Sequence, residues 1–115
     1  MKPSQETQEK IARLSVMERN LEQLGAQKRQ FQIQLVEIES ALSELEKTSK
    51  AYKIIGNIMV ASEKETLKND LTGKKEMLDI RIRTLEKQEN KLKEQASAFQ
   101  EEIIKELESK QESEK

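Results

Sequence analysis

The chain contains no cysteine, no histidine and no tryptophan, and only one proline, three glycines and three aromatic residues among 115. Each absence removes a class of chemistry. Without thiols there is neither a disulfide framework nor a thiolate nucleophile, and without imidazole there is no triad base and no ordinary zinc site. Carboxylates alone can hold a hard cation, but none of them has the spacing of a calcium loop. No apolar run approaches the twenty residues of a membrane span. The opening residues MKPSQETQEK are polar, so no secretory leader is expected. We therefore expect no catalytic residue, no metal site and no cofactor. The lack of cysteine fits a reducing compartment, and a cytoplasmic location is expected.

What is present is charge and helix formers. Apolar residues make up 34% and charged residues 37%, yet 21 basic side chains nearly balance 22 acidic ones. A compact domain of this length would normally be more apolar. Disordered chains combine low hydrophobicity with high net charge, whereas the net charge here is −1. Many Glu, Lys, Leu and Gln with few Gly and Pro point to long helices without a thick private core.

The chain divides into three segments: a helix over 4–46, a different pattern over 47–62, and a second helix over 63–110, all within a single domain spanning 1–115. A frayed tail, SKQESEK, is expected to close the chain. In the first helix, alternating steps of three and four pick out Leu14, Met17, Leu21, Leu24, Lys28, Phe31, Leu35, Ile38, Leu42 and Leu45, of which only Lys28 is polar. In the second helix they pick out Leu71, Lys75, Leu78, Ile82, Leu85, Glu89, Leu92, Ala96, Phe99 and Ile103. Both are seams of a left-handed coiled coil. Ser4 is expected to cap the first helix, and Ser62 with Glu65 to form a capping box for the second. Gly73 falls on the outer face.

Folding the helices antiparallel pairs Leu42 with Leu71, Leu35 with Leu78, Phe31 with Ile82, Lys28 with Leu85, Leu21 with Leu92, Met17 with Ala96 and Leu14 with Phe99. The layers Leu24–Glu89 and Ile38–Lys75 are poor, and an ion pair between Lys28 and Glu89 is expected one layer apart. The fold point lies between Gly56 and Asn57, where the sequence independently signals a turn. Ala51-Tyr52-Lys53-Ile54-Ile55 and Ile58-Met59-Val60-Ala61 read as strands, and Gly-Asn between them reads as a type II′ turn. The expected ladder pairs Ile55 with Ile58, Ile54 with Met59, Lys53 with Val60 and Tyr52 with Ala61.

Such a ribbon is apolar on both faces. An isolated hairpin is marginal in water, and open apolar edges attract further strands. Two coiled helices make too narrow a rod to cover both faces. The segment therefore predicts oligomerisation by strand pairing into a shared sheet or barrel. The alternative is that the hairpin folds back on the coil as a cap.

At the far end of the helices the next layers are Lys10 with Ile103 and Thr7 with Glu106, so the seam is expected to loosen. Apolar residues continue off-register at Ile11 and Val16 and at Ile103, Ile104 and Leu107, roughly 60 Å from the hairpin at the helical rise. They either close the last turns or contact non-native polypeptide.

The stretch from Ala51 to Val60 resembles the strand–turn–strand motif YK-x-x-G-x-x-x-V of prefoldin beta subunits, and Arg81 to Glu89 resembles the corresponding stretch of archaeal members. Helix–hairpin–helix is their layout, whereas alpha subunits carry two hairpins. The resemblance implies a mainly α fold. In it, a long antiparallel two-helix coiled coil carries one β-hairpin, and the hairpins of several subunits form a β-barrel platform. It implies an ATP-independent holdase in a hexamer of two alpha and four beta subunits, capturing unfolded proteins at the coil tips and passing them to a group II chaperonin. Tyr52, Ile54, Ile55, Gly56, Ile58, Met59 and Val60 become assembly residues. Position and chemistry put Ile11, Leu14, Met17, Phe99, Ile103, Ile104 and Leu107 at the client-binding tips.

Two other functions compete with this one. A structural scaffold joining fixed partners explains the heptads but not the two-sided hairpin. A nucleic-acid arm is disfavoured, because the seven bases of residues 74–93 are interleaved with four acids and no aromatic stands among them. No nucleic-acid or membrane partner is expected, and without a concave pocket or convergent activated groups neither is enzymatic activity.

Overall fold

The computed structural model describes residues 4–113. Its order is α1 (Gln5–Lys47), β1 (Ala51–Ile55), β2 (Ile58–Ser62) and α2 (Lys64–Ser113). α1 starts where Ser4 supplies the cap: its hydroxyl oxygen accepts the Thr7 amide at 3.1 Å, and its carbonyl accepts the Gln8 amide at 2.9 Å. α1 ends at Lys47, where the Thr48 amide turns back to the Leu45 carbonyl at 3.4 Å. α2 starts one residue later than the sequence suggests. Ser62 is taken by the hairpin ladder opposite Ala51, and the Leu67 amide bonds to the carbonyl of Glu63 at 3.0 Å, which makes Glu63 the cap. The expected Ser62–Glu65 capping box is thus displaced by strand pairing. At the other end, helix continues through Ser113 where a frayed tail was expected, and the last two residues lie outside those described.

The hairpin has the expected register: Tyr52 opposite Ala61, Lys53 opposite Val60, Ile54 opposite Met59 and Ile55 opposite Ile58. Gly56 has φ of +61°, and no other residue has positive φ among those described. Asn57 therefore stays at negative φ, which separates the type II′ turn from type I′.

The chain forms two compact units. Unit 2, residues 28–84, holds the hairpin and the helix segments that flank it. Its seam side chains Phe31, Leu35, Ile38, Leu42, Leu71 and Lys75 are half-buried, and Leu45, Leu78 and Ile82 are buried. Lys75, the poor seam residue, extends its ammonium to Glu39 at 3.9 Å. Nearer the hairpin Lys68 meets Glu46 at 2.8 Å, and Arg81 lies over the ring of Phe31 at 5.7 Å from its centre. These cross-helix partners all follow the expected antiparallel register.

Unit 1, residues 1–27 and 85–115, holds the open ends of the helices. Leu14, Met17, Leu21, Leu24, Leu92, Ala96 and Phe99 are half-buried, while Leu85, Glu89 and Ile103 are buried. The seam was expected to loosen beyond Leu14. Instead a polar latch closes it. Thr7 is only 3% exposed and donates its hydroxyl hydrogen to Glu106 at 2.7 Å. Since that hydrogen is used, the Ser4 hydroxyl donates to Thr7 at 2.8 Å. The Lys10 ammonium bonds to the same Glu106 carboxylate and lies 3.5 Å from Glu102. The Lys10 ammonium, then the Thr7 hydroxyl, hold the Glu106 carboxyl below the ordinary carboxylate value of 4.5. The Glu106 carboxylate in turn raises the Lys10 ammonium. In unit 2, Lys68 lowers Glu46 in the same manner.

Two outcomes are expected. Gly73 lies in α2 with nothing within 4 Å of an added Cβ. Gly73→Ala should therefore stabilise the protein by about 1 kcal/mol, read as a rise in Tm. Because Glu106 and Glu46 are depressed in the folded state, their contribution is present above the ordinary carboxylate value and is lost as pH falls through their folded values. Thermal melting followed by circular dichroism should show Tm falling below about pH 4.5, and Glu106→Gln should shrink that fall.

Candidate functional site

No cluster of His, Cys, Asp or Glu suited to a metal occurs among the described residues, and no buried side-chain nitrogen or oxygen there lacks a hydrogen-bond partner. The described residues offer apolar surface in contact with water at three places.

The first is the hairpin. Ladder alternation puts Tyr52, Ile54, Met59 and Ala61 on one face and Lys53, Ile55, Ile58 and Val60 on the other. Tyr52, Ile54, Ile55, Ile58, Met59 and Val60 are between 43% and 69% exposed. Ala51 alone in the ribbon is buried. The hairpin therefore does not fold back as a cap, since no apolar side chain from Tyr52 to Ala61 is covered by the rest of the unit. Both edges of the two-stranded sheet are open. Gly56 makes this possible: a Cβ there meets no atom within 4 Å, but the left-handed backbone strains any L side chain.

The second lies in unit 1. Ile11, Val16 and Ile104 are exposed, while Leu14, Met17, Phe99 and Leu107 are half-buried. Ile103 differs from the expected partly open tip residue: at 7% exposure it is packed into the seam, one turn before Glu106. Ala12, Arg13, Val16, Met17 and Phe99 line a shallow groove of about 410 Å³. The seven tip residues are therefore not one surface. Ile103 closes the last layers, and the open apolar groups are those that leave the heptad positions.

The third surface was not anticipated. Ile33, Val36, Met77 and Ile80 in unit 2 are all more than half exposed, on helix faces turned away from the seam. The signal was present in the sequence as branched and long apolar residues at positions where a coiled coil normally carries charge. A template that counts only seam positions does not register them.

Among the described residues no helix is long and apolar enough to cross a membrane. Residues 8–110 match the family model for prefoldin subunits. The chain is 37% identical over 101 residues to the prefoldin subunit beta of Archaeoglobus fulgidus, covering 85% of this chain and 87% of the relative. It is 35% identical over 103 residues to that of Pyrobaculum islandicum, covering 87% and 82%. The crystal structure of the prefoldin beta subunit from Thermococcus strain KS-1 superposes with a TM-score of 0.83 at 28% identity, over 89% of this chain and 92% of that one. The family model over residues 8–110, the identity to beta subunits over most of the length and the shared overall fold lead to one assignment: the chain belongs to the prefoldin family, among its beta-type subunits.

Proposed function

We propose that this chain is a beta subunit of a hetero-hexameric holdase, two alpha and four beta, that captures unfolded proteins at the open ends of its helices and passes them to a group II chaperonin without nucleotide. Prefoldin is a chaperone family and not an enzyme family, and its subunits assemble with one another. The observation that carries the finer reading is the uncovered ribbon. Six large or medium apolar side chains stand on two faces of a hairpin with open edges, and water is their least favourable surrounding. Partner hairpins, from alpha-type and other beta subunits, supply both the edge hydrogen bonds and the apolar cover.

With the hairpin engaged in a platform, unit 1 keeps its own apolar surface in water. Ile11, Val16 and Ile104 offer small, separated apolar contacts beside the groove at Met17 and Phe99. Each is too weak alone to hold a client. Several arms acting on one unfolded chain give useful avidity, and weak individual contacts let the client leave. Mixed-sign charge elsewhere keeps the arms soluble. The work is done in the cytoplasm, where unfolded clients and chaperonin meet.

Two experiments test this reading. Ile54→Lys with Met59→Lys puts charge on one face of the ribbon; helical content should persist while the assembled mass, alone or with an alpha-type partner, falls to that of smaller species. Persistence of the full mass would remove the hairpin from assembly. Ile11→Ser, Val16→Ser and Ile104→Ser together should leave the hexamer intact and cut its suppression of aggregation of an unfolded protein several-fold, in the absence of ATP. Undiminished suppression would place client binding elsewhere.

A further inference from the structure

Charge is of mixed sign along the two helices and of one sign between them. Residues 47–62 carry Lys47, Lys50 and Lys53 and no acid, while the rest of the chain carries 18 bases against 22 acids. Lys47 ends α1 and lies 3.8 Å from Glu44, and Lys50 precedes β1. Lys53 stands inside the ladder, opposite Val60, and is the one charged residue from Ala51 to Ser62. It shares its face with Ile55, Ile58 and Val60, which are 43% to 67% exposed. Its ammonium has no acid partner among the described residues. Of the acids flanking the ribbon, Glu46 is held by Lys68 at 2.8 Å, Glu44 lies at Lys47, and Glu63 falls beyond the ladder. The opposite face, with Tyr52, Ile54, Met59 and Ala61, has no charge at all.

The two faces set different conditions on whatever covers them. The uncharged face accepts any apolar ribbon that fits it. The Lys53 face does not: covering it takes an ammonium out of water, which is costly unless a carboxylate meets it. A second copy laid on this face brings a second Lys53 and no acid from residues 47–62, so it adds a like charge instead of an opposite one. We infer that Lys53 selects the ribbon's partner: the hairpin that covers the Lys53 face belongs to a subunit of different sequence and sets a carboxylate against the ammonium. The inference rests on the reading that the hairpins assemble, and it adds which face meets which kind of partner. Copies of this chain are left the uncharged face. A lysine on an open strand also discourages stray pairing of any kind, and the two roles differ in what happens when the charge is removed.

Lys53→Met removes the charge and nearly keeps the length, and Lys53→Arg keeps the charge. Circular dichroism first establishes that both variants retain their helices. Association of each full chain with itself, and with a purified alpha-type prefoldin subunit, is then followed by mass on dilution. Lys53→Met should join the alpha-type subunit about tenfold or more weakly than the unsubstituted chain does, and join itself about tenfold or more tightly. Lys53→Arg should stay within about threefold of the unsubstituted chain in both. Tighter association of Lys53→Met with both partners would make Lys53 a plain guard against strand pairing with no carboxylate facing it, and would overturn the inference. Unchanged association in both, or a loss in Lys53→Arg equal to that in Lys53→Met, would overturn it and leave hairpin assembly standing. Failure of the unsubstituted chain to join the alpha-type subunit at all would remove the hairpin reading and this inference with it.

Discussion

The tight turn at Gly56-Asn57 is the constraint from which the other features follow. A two-residue turn permits one ladder register, and that register fixes where each helix leaves the ribbon. An antiparallel pair of helices entering from those points has little freedom to slide, because a shift of one residue on either side rotates its apolar stripe away from the partner. The partners Lys68 with Glu46 and Lys75 with Glu39 in one unit, and Thr7 with Glu106 in the other, obey the same rule of pairing about the turn. A left-handed glycine and a paired ladder thus specify contacts more than forty residues away in sequence.

Much of this was legible in the residues. The three-and-four spacing of Leu14 to Leu45 and of Leu71 to Ile103 identified the sheltered positions, since every one of them is half-buried or buried and most of their neighbours are exposed. Gly-Asn between β-branched runs identified the turn, its type and four of the five ladder pairs, all but Ala51 with Ser62. The helix start at Lys64 was less legible, because Ser62 is a good cap by residue type but a better ladder partner for Ala51 once the strands exist. Long-range pairing outweighed a local preference worth about 1 kcal/mol.

The latch in unit 1 was hidden for a different reason. Thr7 and Lys10 continue the spacing of the seam, but a hydrophobicity template scores them as failures. They succeed as hydrogen-bond donors to one carboxylate, a solution that depends on Glu106 arriving at the same level. Ile103 is buried as a consequence, sealed in behind that polar layer. The outward residues Ile33, Val36, Met77 and Ile80 are equally plain in the sequence, but they stand off the three-and-four spacing that marks the seam.

A two-helix seam is a thin source of stability. No large side chain among the described residues is fully buried. Each seam residue therefore gains only part of the roughly 1.5–3 kcal/mol of complete burial, and the total comes from repetition over many layers. Cohesion spread so evenly has a particular result at the open ends. A thick core there would draw Ile11, Val16 and Ile104 inward and bury them. A bare apolar seam would fray until Phe99 and Ile103 were released to self-associate. The polar latch avoids both: its donors hold Glu106 in place by direction and not by greasiness, so the last layers stay closed while the off-seam apolar side chains remain in water. Separating the groups that hold the helices from the groups left open allows one pair of helices to close its last layers and still keep apolar side chains in water.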